Sequence, residues 1–302
     1  MHDIIVVGGG PAGLTAALYG LRNGKSVVTV EKSVFGGQIT NSPKVENIPG
    51  FASIGGDEFA EKYLDQVIGQ GGEAEFAEVK GVTPLEDRFE VRLDDGRVLE
   101  GKSVILATGT RHRVTGLPGE EELIGNGVHF CAVCDGDFYS EKTVCIIGGG
   151  NSAFVEAVLL AEICEKLIIL QDMPFFTADQ KLQDQLFANG NIETHTGTRI
   201  LGYVQENGVL RGVRYEENGE EKTADCAGVF LAIGLVPDND AFASCAELDE
   251  RGYFSAGEDC RTRTPGLFVA GDCRTKSLRQ VTTACGDGAV AAIAACEYLR
   301  GK

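Results

Sequence analysis

DIIVVGGGPAG, residues 3–13, is the stretch on which the fold turns: an apolar run closes on three glycines, and a helical pattern follows through residue 22. The pattern Gly8-x-Gly10-x-x-Gly13 between strand and helix has a physical logic. The first glycine permits the tight turn, the second lets a pyrophosphate approach the backbone, and the third lets helix and strand pack closely. Free N–H groups and the positive dipole end at the helix start then face the phosphates. The next strand, SVVTVE, ends at Glu31, where a carboxylate can accept from a ribose hydroxyl.

The unit occurs twice. TVCIIGGGNSA at 143–153 repeats the opening stretch, with Gly148 lying 140 residues after Gly8. A helix to about residue 163 and a strand, KLIIL, ending at Leu170 follow it. Each half then carries a strand–turn–strand signal, around Asp95-Gly96 and at Asn218-Gly219. Each closes on a similar strand and glycine, VILATG at 104–109 and VFLAIG at 229–234. The expected fold is α/β: two Rossmann-like dinucleotide-binding domains, each with a parallel sheet and a small antiparallel meander. The tail, 241–302, with LFVAGD at 267–272 and a helical stretch from about 280, is too short for a third domain and is expected to complete the first.

In the second copy, Gly148-x-Gly150-x-x-Ala153 keeps the turn with alanine at the third position, and Gly148, Gly150, Asn151, Ser152 and Ala153 would face a second nucleotide. The end of its second strand chooses that nucleotide. There the chain reads Gln171-Asp172-Met173-Pro174-Phe175-Phe176-Thr177, with no Arg or Lys. A 2′-phosphate calls for Arg and a free 2′-hydroxyl for an acid, so Asp172 disfavours NADPH and suits the ribose of NADH. Loss of a charge-assisted contact costs about 1.5–3 kcal/mol, tenfold or more in affinity. The other reading of Asp172 is a solvated turn residue in a domain that binds no nucleotide.

The 302 residues fit two domains of ordinary size. With 27 basic and 45 acidic residues the net charge is −18, which repels phosphate backbones and anionic lipids and argues against nucleic-acid and membrane partners. The longest apolar runs, such as AVAAIAAC at 289–296, fall short of the roughly 20 residues of a membrane span. After Met1-His2-Asp3 the chain enters a strand with no targeting pattern, and a cytoplasmic location is expected. Eight of the ten cysteines are scattered singly and read as buried or idle thiols. No zinc-type cluster accompanies them, so no metal is expected.

Only Cys131 and Cys134 form a pair, in Phe130-Cys131-Ala132-Val133-Cys134-Asp135-Gly136. Two cysteines at this spacing can close a small disulfide ring, one sulfur attacking a partner disulfide and the other resolving the mixed disulfide. Asp135, next in sequence, can carry the proton of that exchange. His112 and His129, nearby in sequence, read as surface or packing residues. A flavin is the group to expect between two dinucleotide units and a dithiol, because it accepts electrons singly or in pairs and passes two to a disulfide.

GGGPAG at 8–13, GGQIT at 36–40, VENIPG at 45–50, ATG at 107–109, CAVCDG at 131–136, GGGNSA at 148–153 and GDCRTKSLRQV at 271–281 together resemble the low-molecular-weight thioredoxin reductases, in family order and over nearly the whole chain. The resemblance implies FAD bound at Gly8, Gly10, Pro11, Ala12, Gly13, Glu31, Gly37, Gln38, Asn47, Val79, Gly109, Asp272, Arg279, Gln280 and Val281. It implies that Cys134 faces the flavin, that Cys131 attacks thioredoxin, and that Asp135 is the acid/base. It implies a discontinuous FAD domain, 1–113 and 240–302, around a pyridine-nucleotide-like domain, 114–239. That domain would swivel on connections near Arg113-Val114 and Pro237-Asp238, in a homodimer.

The chain departs from the family where NADPH-dependent members carry His-Arg-Arg and a third Arg four residues later; here stand Gln171, Asp172, Met173 and Thr177. The expected activity is thioredoxin-disulfide reduction from a donor other than NADPH, as in family members thought to use ferredoxin. Ferredoxin is favoured over NADH on the Phe175-Phe176 pair. A drop from about −400 mV to about −270 mV supplies roughly 6 kcal/mol for two electrons. Ferredoxins are acidic, so docking would need a local basic cluster, for which Arg274-Thr275-Lys276-Ser277-Leu278-Arg279 is the candidate. Two alternatives share the scaffold: a dithiol oxidase that passes electrons to oxygen, and a flavin redox sensor without steady turnover.

Overall fold

A computed structural model describes residues 1–41, 45 and 47–301, the side chains of Asn41 and Cys134 excepted. The chain forms two compact units, 1–111 with 236–302 and 112–235.

The first unit opens with β1 (His2–Val7), α1 (Pro11–Arg22), β2 (Val27–Glu31), α2 (Gly56–Gly69) and β3 (Glu73–Phe76). The strands β4 (Val79–Pro84), β5 (Phe89–Leu93) and β6 (Val98–Leu106) follow, and β7 (Thr110–His112) ends this part of the chain. Its sheet runs β3-β2-β1-β6-β5-β4. β1 pairs in parallel with β2 and β6, while β5 is antiparallel to both its neighbours. Ile4, Ile5 and Val6 are inaccessible to solvent because a parallel strand with covered faces needs a continuous apolar run.

The second unit contains α3 (Glu120–Leu123), β8 (Val128–His129), α4 (Ala132–Asp135), β9 (Thr143–Ile147), α5 (Asn151–Ile163), β10 (Lys166–Gln171), α6 (Gln180–Phe187) and β11 (Ile192–Thr196). A meander of β12 (Thr198–Glu206), β13 (Val209–Glu217) and β14 (Glu220–Asp225) precedes β15 (Gly228–Leu231) and β16 (Leu235–Pro237). The order β11-β10-β9-β15-β8 is parallel throughout. Asn218 and Gly219 both hold positive φ at the β13–β14 turn, as a two-residue hairpin requires.

β17 (Leu267–Val269) then joins β6 of the first unit, and α7 (Val281–Arg300) packs beside α1. Small residues permit the close approach: Ala16 and Ala17 share a core with Ala291, Ala292 and Ala295, and a side chain at Gly288 would overlap the Ala12 carbonyl. Among the described residues no helix is long and apolar enough to cross a membrane.

Candidate functional site

In the first unit the glycine turn is built as its spacing demands. Gly8 has φ of +105°, and a Cβ there would collide with Ala107 O, while a Cβ on Gly13 would collide with Gly8 O. Gly10 instead faces open space, with only Gly36 O at 3.9 Å from the position of a Cβ. Pro11 occupies the first turn of α1, and no side chain caps that helix, so the N–H groups around Ala12 and Gly13 are left for a ligand. Gly37 brings its backbone against Gly10, at 3.3 Å from Gly10 Cα to the position of a Cβ.

Glu31 is buried at the end of β2. Its Oε2 accepts from Gly9 N at 2.7 Å, and its Oε1 from Ser33 N at 2.9 Å, which leaves lone pairs spare in a cleft that Gly8 and Val79 also line. Asp272 Oδ1 is enclosed with no hydrogen-bond partner, and burial pushes its carboxyl pKa up against the pull of Lys276. Gly271 sets that aspartate close to Ala12, the Cβ atoms approaching to 2.7 Å were Gly271 to carry one. Open glycines, an uncapped helix start, a buried carboxylate and an orphaned acceptor fit a flavin dinucleotide.

The other predicted cofactor residues form a second group. Gln38 donates to Thr110 O, beside Gly109 with its φ of +66°. Asn47 Nδ2 donates to Gln280 Oε1 at 2.9 Å, just before Val281 opens α7. The Arg279 guanidinium lies 4.2 Å from the Tyr253 ring centroid and donates to the carbonyls of Asp272, Arg274 and Lys276, so it staples its own loop.

The basic segment is not a surface patch. Arg274 is 1% exposed and forks onto Asp287 at 2.9 and 2.8 Å, and Lys276 Nζ reaches the same carboxylate at 3.0 Å. Asp287 Oδ2 also accepts from Gly271 N at 3.0 Å, so this cluster braces the turn that holds Asp272. The sequence reading missed Asp287. Its one legible trace is an acid amid the small residues of the final helix.

In the second unit Cys131 is disulfide-bonded at the start of α4. The side chain of Cys134 lies outside the described residues. The eight scattered cysteines are free thiols, all buried except Cys285. Asp135 Oδ2 stands 3.1 Å from His129 Nδ1, and His129 Nε2 is 2.7 Å from the Tyr139 hydroxyl. His129 is thus no surface residue but a buried partner of Asp135. His112 stacks on Phe130 at 4.9 Å, and burial lowers its pKa. Beneath the pair, Glu156 of α5 accepts from Ala132 N–H while its Oε2 stays enclosed and unpartnered, and burial pushes its carboxyl up to about 8.

The second glycine turn copies the first. Gly148 has φ of +132°, Ala153 is buried, a Cβ on Gly150 would meet Thr177 Oγ1 at 3.5 Å, and no side chain caps α5. Around it the two copies differ. Gln171 is buried where Glu31 stands in the first copy, its Cδ 2.6 Å from the position of a Cβ on Gly149. Asn151 is tied to Asp179, and Ser152 is exposed on the first turn of α5. Asp172 is exposed. Phe176 packs on Phe154 at 5.0 Å, whereas Phe175 is 55% exposed. Residues 171–180 include two acids and no cation.

Residues 2–288 match the family model described as pyridine nucleotide-disulphide oxidoreductase. A thioredoxin reductase of Listeria innocua is 37% identical over 301 residues, 99% of this chain and 94% of that protein. One from Bacillus subtilis is 36% identical, over 99% and 95%. The crystal structure of Lactococcus lactis thioredoxin reductase, in its FR conformation, superposes with a TM-score of 0.90 at 33% identity and covers both chains completely.

Proposed function

Because the chain belongs to the pyridine nucleotide-disulphide oxidoreductases, and within them to the low-molecular-weight thioredoxin reductases, we propose that it reduces thioredoxin through FAD and the Cys131–Cys134 dithiol from a donor other than NADPH. The carrying observation is the stretch after β10, where an exposed acid, Asp172, and no Arg or Lys occupy the place that would hold a 2′-phosphate.

Bound flavin supplies a two-electron relay between donor and disulfide. The chain's own residues do the rest. The Gly8–Gly13 turn and the start of α1 would hold the pyrophosphate, Glu31 would accept from the ribose, and Asp272 Oδ1, which has no hydrogen-bond partner, would accept from a cofactor hydroxyl. Cys131 carries the thiolate that attacks the partner disulfide, Cys134 resolves the mixed disulfide, and Asp135 handles the proton. In domain terms, the unit 1–111 with 236–302 is the FAD domain and 112–235 the dithiol-bearing one, two to four residues from the expected bounds of 113/114 and 239/240.

Reduced ferredoxin is the donor we assign. Met173 and Phe175 are exposed apolar residues in the stretch where a phosphate would otherwise bind, which suits a protein surface. The basic cluster expected to dock an acidic ferredoxin is not available, since Arg274 and Lys276 are both held by Asp287, so the assignment rests on the apolar residues alone. NADH is the second reading, favoured by the exposed Asp172 carboxylate at the end of the second strand. The activity is tested by mixing anaerobically reduced holoenzyme with oxidised thioredoxin and following thiol release. One equivalent of dithiol should transfer, and Cys131→Ser should abolish it; transfer surviving in that variant would refute the assignment.

A further inference from the structure

Proton transfer through Asp135 calls for a neighbour that can hold the proton with it. The structure supplies what is missing. His129 Nδ1 lies 3.1 Å from Asp135 Oδ2, and its Nε2 lies 2.7 Å from the Tyr139 hydroxyl. The ring is 6% exposed and rests on Phe230, with centroids 5.4 Å apart. Burial and the nearby Asp135 and Cys226 push the Tyr139 phenol up, so it stays protonated and donates to Nε2. That leaves Nδ1 to carry the hydrogen toward Asp135.

We propose that the proton donor of thiol–disulfide exchange is the His129–Asp135 pair, with Tyr139 fixing the imidazole. Two groups in such contact share a dischargeable proton that belongs to the pair and not to either member. An imidazole can take up a proton and give it back, and here Tyr139 holds it against the carboxylate. Other titratable groups face the same place. Cys226 and Lys142 approach Tyr139, the latter with Nζ 5.6 Å from the ring centroid; Glu156 holds Ala132 N–H; and His112 stacks on Phe130. None of these bonds Asp135 or His129 among the described residues.

The step, which rests on the thiol–disulfide reading above, balances as follows. The Cys131 thiolate attacks one sulfur of the partner disulfide, that S–S bond breaks, and a mixed disulfide forms. The departing sulfur takes the electron pair and the proton released by the His129–Asp135 pair. The Cys134 thiolate then displaces the second partner sulfur, which takes a proton from water as the Cys131–Cys134 bond closes. Two electrons have passed from dithiol to partner. His129 touches no sulfur in this scheme; it is a positioning and proton-holding residue that acts through Asp135.

The test uses small disulfides, so it is independent of any thioredoxin or donor. Holoenzyme reduced with dithiothreitol and freed of it is mixed, from pH 5 to 9, with 5,5′-dithiobis(2-nitrobenzoate) or with 2-hydroxyethyl disulfide. The first reagent releases an acidic thiol that leaves without help; the second releases a basic alkyl thiolate that needs a proton. His129→Asn keeps an N–H for Asp135 but cannot titrate. It should slow the alkyl disulfide about a hundredfold while leaving the aromatic reagent unchanged. Asp135→Asn should slow the alkyl disulfide by a similar factor, and the double variant should lose no more than either single, because paired groups are not additive. The visible flavin spectrum reports that each variant is folded. Equal slowing of both reagents, no effect on either, or additive losses would overturn the proposal. An unsubstituted protein inert to both reagents would remove the dithiol reading beneath it as well.

Discussion

Glu156→Gln should make the protein less sensitive to alkaline pH. Glu156 projects from α5 toward the dithiol loop, accepts from Ala132 N–H, and has one enclosed oxygen without a partner. Burial is the larger influence and raises its carboxyl from the ordinary 4.5 to about 8, with the Ala132 bond pulling the other way. A folded-state value above the unfolded one means that stability is fully present below about pH 4.5 and is lost as pH rises through about 8. The interval is about three and a half pH units at about 1.36 kcal/mol each, a ceiling near 5 kcal/mol. Relaxation and water entry around the partly exposed stem reduce this to about 2 kcal/mol. Glutamine preserves the shape and cannot ionise. Urea midpoints of variant and parent, both saturated with FAD, should nearly coincide at pH 5, and the variant should be the more stable at pH 8. Parallel dependence on pH in the two proteins would show that the carboxyl is not held protonated.

Asp287→Asn should cost about 3–5 kcal/mol, because it strands Arg274 and Lys276 without their shared countercharge; thermal unfolding measures it, and a change below about 1 kcal/mol would contradict the buried cluster. Gly10→Val should yield folded protein depleted of flavin, since the side chain fills space that is open now; absorbance at the flavin band per mole of protein checks this. The triple change Asp172→Arg, Met173→Arg and Thr177→Arg should raise NADPH-driven flavin reduction at least tenfold, since charge-assisted contacts contribute about 1.5–3 kcal/mol each. No gain would mean that the missing cations are not what excludes NADPH.

Where local chemistry dictates the outcome, the sequence was legible. Both glycine turns, the end of β2 at Glu31 and the hairpin at Asn218-Gly219 lie where spacing and backbone preference required them. β10 runs one residue further than expected, to Gln171, because that residue still pairs with Thr196 of β11. The readings that failed depended on contacts distant in sequence. Arg274 and Lys276 looked like a surface patch because nothing near them in sequence showed that Asp287 would be buried against them. For His129 the packing alternative is the one that stands, but its contacts with Asp135 and Tyr139 were not legible, because a two-residue strand, β8, carries no periodicity and is placed only by pairing with β15.

The most direct test of the central claim is anaerobic reduction of the yellow holoenzyme, following flavin bleaching in parallel with NADPH, NADH and photoreduced ferredoxin. Rapid bleaching by ferredoxin, with NADPH inert, is the predicted result; bleaching by NADH would assign the ribose contact to Asp172. Fast bleaching by NADPH would contradict the account, because residues 171–180 hold no cation to bind its 2′-phosphate.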